Sequence, residues 1–252
     1  MGLAVGSVCA ILLVMVLLSA PCHGQDAYVS SRATYYGSPD CLGTPTGACG
    51  YREYGRIVNG GDVSGASRLF RDGTGCGACY QVRCKGAPCC SEEGVKVVVT
   101  DYGEGDKTDF ILTTRAYAKL ARPGAALQLF AYGVIDIEYK RIPCQYPGYN
   151  LFFKVHEYSR FPDYLAIVII YQAGIYDIVA LEVWQEDCKE WRPMRKASGA
   201  IWDMPNPPKG ALRFRFQVIG SGGAKWVEPS NPVLPSEWKA GVAYDTTIQL
   251  TY

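Results

Sequence analysis

Five cysteines stand within sixteen consecutive positions, residues 75–90, which read GCGACYQVRCKGAPCC. Thiols at that density either hold a metal ion or staple loops as disulfides, and the redox compartment decides between the two. A zinc centre wants paired CxxC units or histidine partners. Cys76 and Cys79 form one such unit, a second is missing, and beyond the N-terminal segment the remaining histidine is His156.

That segment settles the compartment. Residues 10–20 are an apolar run with Leu12, Leu13, Val14, Val16 and Leu17, followed by Pro21, Cys22, His23 and Gly24. The run is too short for a membrane span and reads as a secretory leader over residues 1–24, cut after Gly24. Of the 11 cysteines, Cys9 and Cys22 leave with it, so nine enter an oxidising compartment. Disulfides then outrank metal ligation, and the odd count leaves at least one thiol free or paired between molecules. Neither a metal nor another cofactor is implied.

Charge narrows the partner. Lys and Arg number 25 against 24 Asp and Glu, none of them in the leader. A near-neutral exported chain lacks the clustered basic charge that nucleic acid or an anionic membrane demands. The 18 tyrosines and 5 tryptophans suit a neutral polymer read by ring stacking instead.

The cysteine distribution divides the mature chain. Eight lie from Cys41 to Cys144 and only Cys188 lies beyond, with the Pro- and Gly-punctuated stretch PCQYPGY at 143–149 between them. Two domains are expected, at residues 25–146 and 147–252. In the first, residues 96–100 form a valine-rich strand, and residues 127–142 are expected to run as sheet through Val134, Ile135, Ile137 and Ile142. Residues 113–120 suit a helix with a threonine cap, stopped by Pro123 and Gly124. An antiparallel, loop-rich, stapled barrel is the natural class. The second domain reads as strands at 151–158, 164–172, 178–185, 212–219 and 246–250. Within 212–219, Leu212, Phe214, Phe216 and Val218 face one way and Arg213, Arg215 and Gln217 the other. Such strands make a β-sandwich.

The motifs RATYYG at 32–37, GACG at 47–50, GCGACYQVRC at 75–84, VVTD at 98–101 and GAIW at 199–202 occur in that order. Together they resemble the plant expansins, most closely the expansin-like B branch. The resemblance implies an all-β fold: an N-terminal six-stranded double-psi β-barrel, related to the family 45 endoglucanases, followed by an immunoglobulin-like β-sandwich that binds cellulose. It further implies three bridges, Cys49–Cys76, Cys79–Cys144 and Cys84–Cys90. Cys41, Cys89 and Cys188 fall outside that pattern, leaving open a Cys41–Cys188 bridge or a competing Cys84–Cys89 pair.

Glycoside hydrolysis needs two carboxyls, one donating a proton and one activating water. Expansins keep the acid in a His-Phe-Asp motif; the matching stretch here reads DFILT at 109–113, which puts Asp109 at the histidine position and Ile111 at the acid position. Thr44 stands where relatives carry a second aspartate. Asp109 is two residues from Ile111, about 7 Å along an extended chain, and a catalytic group misplaced by about 1 Å already loses roughly a hundredfold. Asp40, Asp101 and Asp109 remain as candidate remnants. Thr34 and Tyr36 match the family's sugar-lining positions, and alternation puts both on one face. In the sandwich, Tyr164 and Trp202 are the expected stacking residues of an eroded platform; Trp184, Trp191, Trp226 and Trp238 read as core or strand-edge fillers.

The expected function is therefore a secreted, monomeric cell-wall protein that binds cellulose or xyloglucan and loosens their contacts without hydrolysis. The alternatives are a weak endoglucanase using Asp40 or Asp109, and a glycan-binding protein that loosens nothing.

Overall fold

Alternating apolar residues in the first half close into a barrel. In the computed structural model, which describes residues 27–105 and 108–250, six strands follow the order β1-β5-β2-β4-β3-β6 and seal on themselves. They are β1 (Val29–Tyr36), β2 (Val63–Ala66), β3 (Cys79–Cys84), β4 (Val95–Tyr102), β5 (Phe110–Thr113) and β6 (Ile135–Ile142). The pairs β1–β5 and β2–β4 are parallel and the rest antiparallel, so the barrel is not the all-antiparallel one that composition suggests. Val82, Val97, Val99, Phe110, Leu112 and Ile137 fill its interior. The leader expected over residues 1–24 lies outside the described residues.

Two expectations, a helix over residues 113–120 and a sheet segment over 127–142, meet different outcomes. The helix α1 (Thr114–Ala118) is capped by Thr113, whose side chain accepts a hydrogen bond from the Ala116 N–H. Residues 127–142, however, do not run as one sheet segment. A short helix α2 (Ala126–Phe130) comes first, with Leu129 buried and Leu127 exposed, and Gly133 at φ 69° turns the chain into β6. The apolar spacing there follows the helical period rather than the period of two.

The second half is a two-sheet sandwich. One sheet orders β10 (Glu190–Pro193), β9 (Asp177–Gln185), β13 (Phe214–Gly220) and β14 (Gly223–Val227). The other orders β11 (Arg195–Ser198), β12 (Ile201–Pro205), β8 (Tyr164–Ile170), β7 (Phe152–Val155) and β15 (Ala243–Asp245). Phe153, Leu165, Ile167, Val183, Phe214 and Phe216 interlock between them. Residues 246–250 are not the strand expected of them, because Thr247 adopts φ 61° just past β15, while Leu151 donates its N–H to the Ile248 carbonyl at 2.8 Å. Leu212 likewise lies outside β13 and bridges Leu234.

Barrel and sandwich are locked to each other. The outer face of β8 and β12 presents Val168, Ile170 and Ile201 to Cys49, Tyr51 and Cys76 of the barrel. Gly73 (φ 81°) and Gly199 (φ 53°) meet so closely that a Cβ at Gly73 would overlap the Gly199 carbonyl. Ala200 donates to the Cys49 carbonyl at 3.0 Å, and Cys144 pairs with Gly174 in both directions. Asp177 of the sandwich holds two barrel cations, Arg71 at 2.7 Å and Arg141 at 2.6 Å.

Disulfides join Cys49 to Cys76, Cys79 to Cys144 and Cys84 to Cys90. Cys41 and Cys188 are exposed free thiols and Cys89 is a buried one, so neither a Cys41–Cys188 nor a Cys84–Cys89 bridge forms. The residues 75–90 segment is thus a staple that ties β3 to the loop before it, to β6's end and to its own following turn.

Candidate functional site

Four strands set one row of residues across the barrel. Thr34 on β1 lies opposite Ile111 on β5, Ile111 opposite Gly65 on β2, and Gly65 opposite Asp101 on β4. At about 4.8 Å between neighbouring strands, the row spans roughly 14 Å. Ala33, Phe110 and Leu112 point into the barrel, so alternation turns Thr34, Tyr36 and Ile111 outward. A register shift between Ser64 and Gly65 breaks the β2–β4 ladder at this row, as bulges do next to sites.

The hydroxyls of the row are partly committed. Thr34 donates to the Gly133 carbonyl at 3.0 Å, which leaves its oxygen lone pairs to accept. Tyr36 is half-buried, and burial first, then the nearby Asp101 carboxylate, push its phenol up to about 12, so it remains a donor at every physiological pH. Tyr36, Asp40, Thr44 and Arg56 line one open cleft of about 390 Å³. Ile111 packs over Gly103, where an added Cβ would come within 2.7 Å of its Cδ1.

Each remnant acid is engaged elsewhere. Asp109 is buried and accepts from Arg68 Nε at 2.8 Å, Arg68 Nη2 at 2.7 Å and Ser31 Oγ at 2.5 Å. The hydrogen bonds from Arg68 hold its carboxyl below the usual carboxylate range despite its burial. Asp101 accepts from the backbone N–H of Ala48 at 2.6 Å and of Tyr102 at 2.8 Å, a turn-closing role. Asp40 accepts from the Leu42 N–H at 3.1 Å and pairs with Arg56, and the Leu42 hydrogen bond leads in holding its carboxyl low. Thr44 exchanges a hydrogen bond with Thr46 at 2.8 Å. The row and the neighbouring Tyr36 therefore offer a hydroxyl, a phenol and an apolar side chain, and the Asp40 and Asp109 carboxyls are held below their usual range.

Replacing Asp109 with asparagine is expected to lower stability by about 2 kcal/mol, since Arg68 and Ser31 lose a charged acceptor while Arg68 keeps access to water. The folded carboxyl titrates below its unfolded value, so this stability is present above about pH 4 and fades as pH falls through the folded value. Urea unfolding at pH 6 and pH 3 checks it: the gap between wild type and variant should narrow at pH 3. A gap independent of pH would contradict the assignment.

The expected sandwich platform is not assembled. On β12, Ile201 and Asp203 face the outer side while Trp202 and Met204 point into the sandwich core, and Trp202 is only 6 % exposed. Alternation alone forces this, because Ile201 is needed at the barrel seam. Trp202 is therefore a core residue, with Lys196 5.9 Å from its ring. Tyr164 stays half-buried at the outer edge, but its hydroxyl donates to Asp203 at 2.6 Å, and Arg195 pairs with the same carboxylate at 2.6 Å. The well-exposed ring near that side is Tyr158, 63 % exposed, with Arg52 5.9 Å from its centre. Sequence reasoning passed over Tyr158 because it lies in a turn with no alternation to mark it.

A closed six-stranded barrel seamed to a two-sheet sandwich, with Ile111 and Thr44 standing where two acids would, defines a class before any relative is named. Family models match residues 62–139 as "Lytic transglycolase" and residues 151–235 as "Expansin C-terminal domain". "Expansin-like B1" of Arabidopsis thaliana is 59% identical over 239 residues, 94% of this chain and 95% of that protein. "Expansin-like B1" of Oryza sativa subsp. japonica is 40% identical over 244 residues, 95% of each chain. The chain belongs to the expansin family, in its expansin-like B branch. Its fold is also that of the crystal structure of apo Clavibacter michiganensis expansin, at a TM-score of 0.64 with 18% identity, covering 88% of this chain and 98% of that one. A mutant of that bacterial protein has been solved in complex with cellohexaose, at the same TM-score. No helix among the described residues is long and apolar enough to cross a membrane.

Proposed function

We propose that the protein is a secreted, monomeric plant cell-wall protein that grips cellulose or xyloglucan along the barrel cleft and loosens contacts between chains without cutting them. In this reading residues 1–24 are the leader, 25–146 the gripping barrel and 147–252 a sandwich that adds glycan contacts. The observation that carries it is the row Thr34–Ile111–Gly65–Asp101, in which an isoleucine fills the position of the proton donor. Hydrolysis by paired carboxyls needs one of them held protonated above its usual range. Asp40 and Asp109 are instead held below it, and Asp101 serves two backbone N–H groups. Tyr36 as donor and Thr34 as acceptor suit sugar hydroxyls, and the Tyr36 ring suits a C–H face. The cellohexaose complex of the bacterial relative supports a glucan chain as the ligand.

The test is extension of a heat-inactivated wall strip under constant load. Wild type is expected to increase creep at a rate that falls at least severalfold in Tyr36→Ala. No creep with wild type, but creep with Ile111→Asp, would favour gripping without loosening.

A further inference from the structure

The tryptophans that the sequence reads as fillers assemble elsewhere on the molecule. Trp191 on β10 lies directly opposite Trp184 on β9, and Trp226 on β14 directly opposite Gln217 on β13. Leu181, Val183, Phe214, Phe216 and Val218 of the same strands fill the sandwich core. Alternation therefore puts Trp184, Trp191, Arg215, Gln217 and Trp226 on the other face of that sheet. The barrel packs on the outer face of the five-stranded sheet and meets β9 at Asp177, the opposite end of that strand from Trp184.

Its geometry is a ladder. The Trp184 and Trp191 ring centres are 5.3 Å apart, and the Arg215 guanidinium lies 4.8 Å from the Trp191 ring and 4.5 Å from the Trp226 ring. Trp226 is 42% exposed and Trp184 and Trp191 are half-buried, so edges and faces of three indoles reach solvent around one fixed cation. The charges of the face are closed on themselves. Arg215 donates to Glu182 at 2.6 Å across the β13–β9 pair, and Arg213 donates to Glu228 at 2.6 Å. An anionic polymer would have to displace those carboxylates, whereas a neutral one meets rings for its C–H faces and fixed polar groups for its hydroxyls.

We propose that the outer face of the β10-β9-β13-β14 sheet is a second glycan-binding surface, built on Trp184, Trp191, Arg215 and Trp226, whose ligand is an uncharged β-glucan chain. It is independent of the barrel cleft in position and in residues. With two binding faces on different domains, one molecule tethers two chains at once, and avidity for a dense glucan surface exceeds that of either face.

The experiment uses the full chain and affinity electrophoresis in hydroxyethylcellulose, with polygalacturonate as the acidic comparison. Six proteins are run: wild type, Trp226→Ala, Trp226→Tyr, Trp191→Ala/Trp226→Ala, the cleft variant Tyr36→Ala, and Trp191→Ala/Trp226→Ala/Tyr36→Ala. Each ring removed is expected to weaken retention by up to about tenfold. A Trp191→Ala/Trp226→Ala/Tyr36→Ala protein should lose retention beyond either parent, and wild type should aggregate soluble glucan where the double tryptophan variant does not. Trp226→Tyr, which keeps a ring, should retain most binding and guards against misfolding, with thermal melts run in parallel. Unchanged retention of a folded Trp191→Ala/Trp226→Ala protein overturns the proposal and leaves the ladder a sheet-stabilising contact. Stronger wild-type retention in polygalacturonate than in hydroxyethylcellulose overturns the neutral ligand. Loss confined to Tyr36→Ala speaks for the cleft alone and against this face.

Discussion

Removing the Cys79–Cys144 bridge by double alanine substitution is expected to lower the unfolding free energy by about 4 kcal/mol. The bridge closes a separation of 65 residues, against 27 for Cys49–Cys76 and 6 for Cys84–Cys90. When loop-closure entropy dominates, the loss scales with the logarithm of loop length, so Cys84→Ala/Cys90→Ala should cost only about 2 kcal/mol. The longer bridge carries a second consequence. Cys144 exchanges both backbone hydrogen bonds with Gly174 of the sandwich, at 2.9 and 3.0 Å, so freeing its side chain also loosens the seam between the two halves. Urea unfolding under non-reducing conditions measures both variants. Equal losses, or a larger loss for the short bridge, would contradict this ordering.

Asp177→Ala is expected to uncouple the sandwich from the barrel at a cost of about 2–3 kcal/mol. The side chain is only 13 % exposed and receives two hydrogen bonds from Arg71, at 2.7 and 3.1 Å, and one from Arg141 at 2.6 Å. Burial alone would raise the Asp177 carboxyl, but the two guanidinium groups outweigh it and hold it below the usual range. Without it, Arg141 is left half-buried with its Nε already lacking a partner. Because the folded value lies below the unfolded one, the contribution is present above about pH 4 and is lost as pH falls further. Calorimetry at pH 6 should show one cooperative transition for wild type and a broadened or split one for the variant. Wild type should approach the variant's behaviour near pH 3. A single unshifted transition in the variant would show that the apolar seam and the glycine contact suffice on their own.

The residues that define the groove were legible because their information is local. RATYYG alternates over one strand, DFILT carries its missing acid within five residues, and the cysteine run reads as a staple once the leader-like segment sets an oxidising compartment. What the sequence hid depends on pairing between distant segments. Arg68 neutralises Asp109 from 41 positions away, and Arg56 reaches Asp40 from 16, so neither acid's commitment could be read from spacing. Trp202 misled for a different reason. Its motif suggested a platform, yet the strand's two faces are assigned by Ile201, which the barrel seam claims. The Trp184, Trp191 and Trp226 face required the β10-β9-β13-β14 order, and strand order is set by long-range contacts that no window of sequence contains. The misread segment 127–142 reflects the ambiguity of short apolar runs, since Leu127, Leu129 and Phe130 fit a helical turn as well as a strand.

The central claim is that the barrel grips a glucan while Ile111 denies it a proton donor. One measurement addresses it most directly: reducing ends released from xyloglucan and from amorphous cellulose by the purified protein, assayed in the same samples in which its retention on the polymer is measured. The account predicts saturable retention, weakened by Tyr36→Ala, with reducing ends no higher than in a protein-free blank over many hours. A steady rise in reducing ends that follows protein concentration and is lost in Asp40→Asn or Asp109→Asn would contradict it and make the protein a hydrolase.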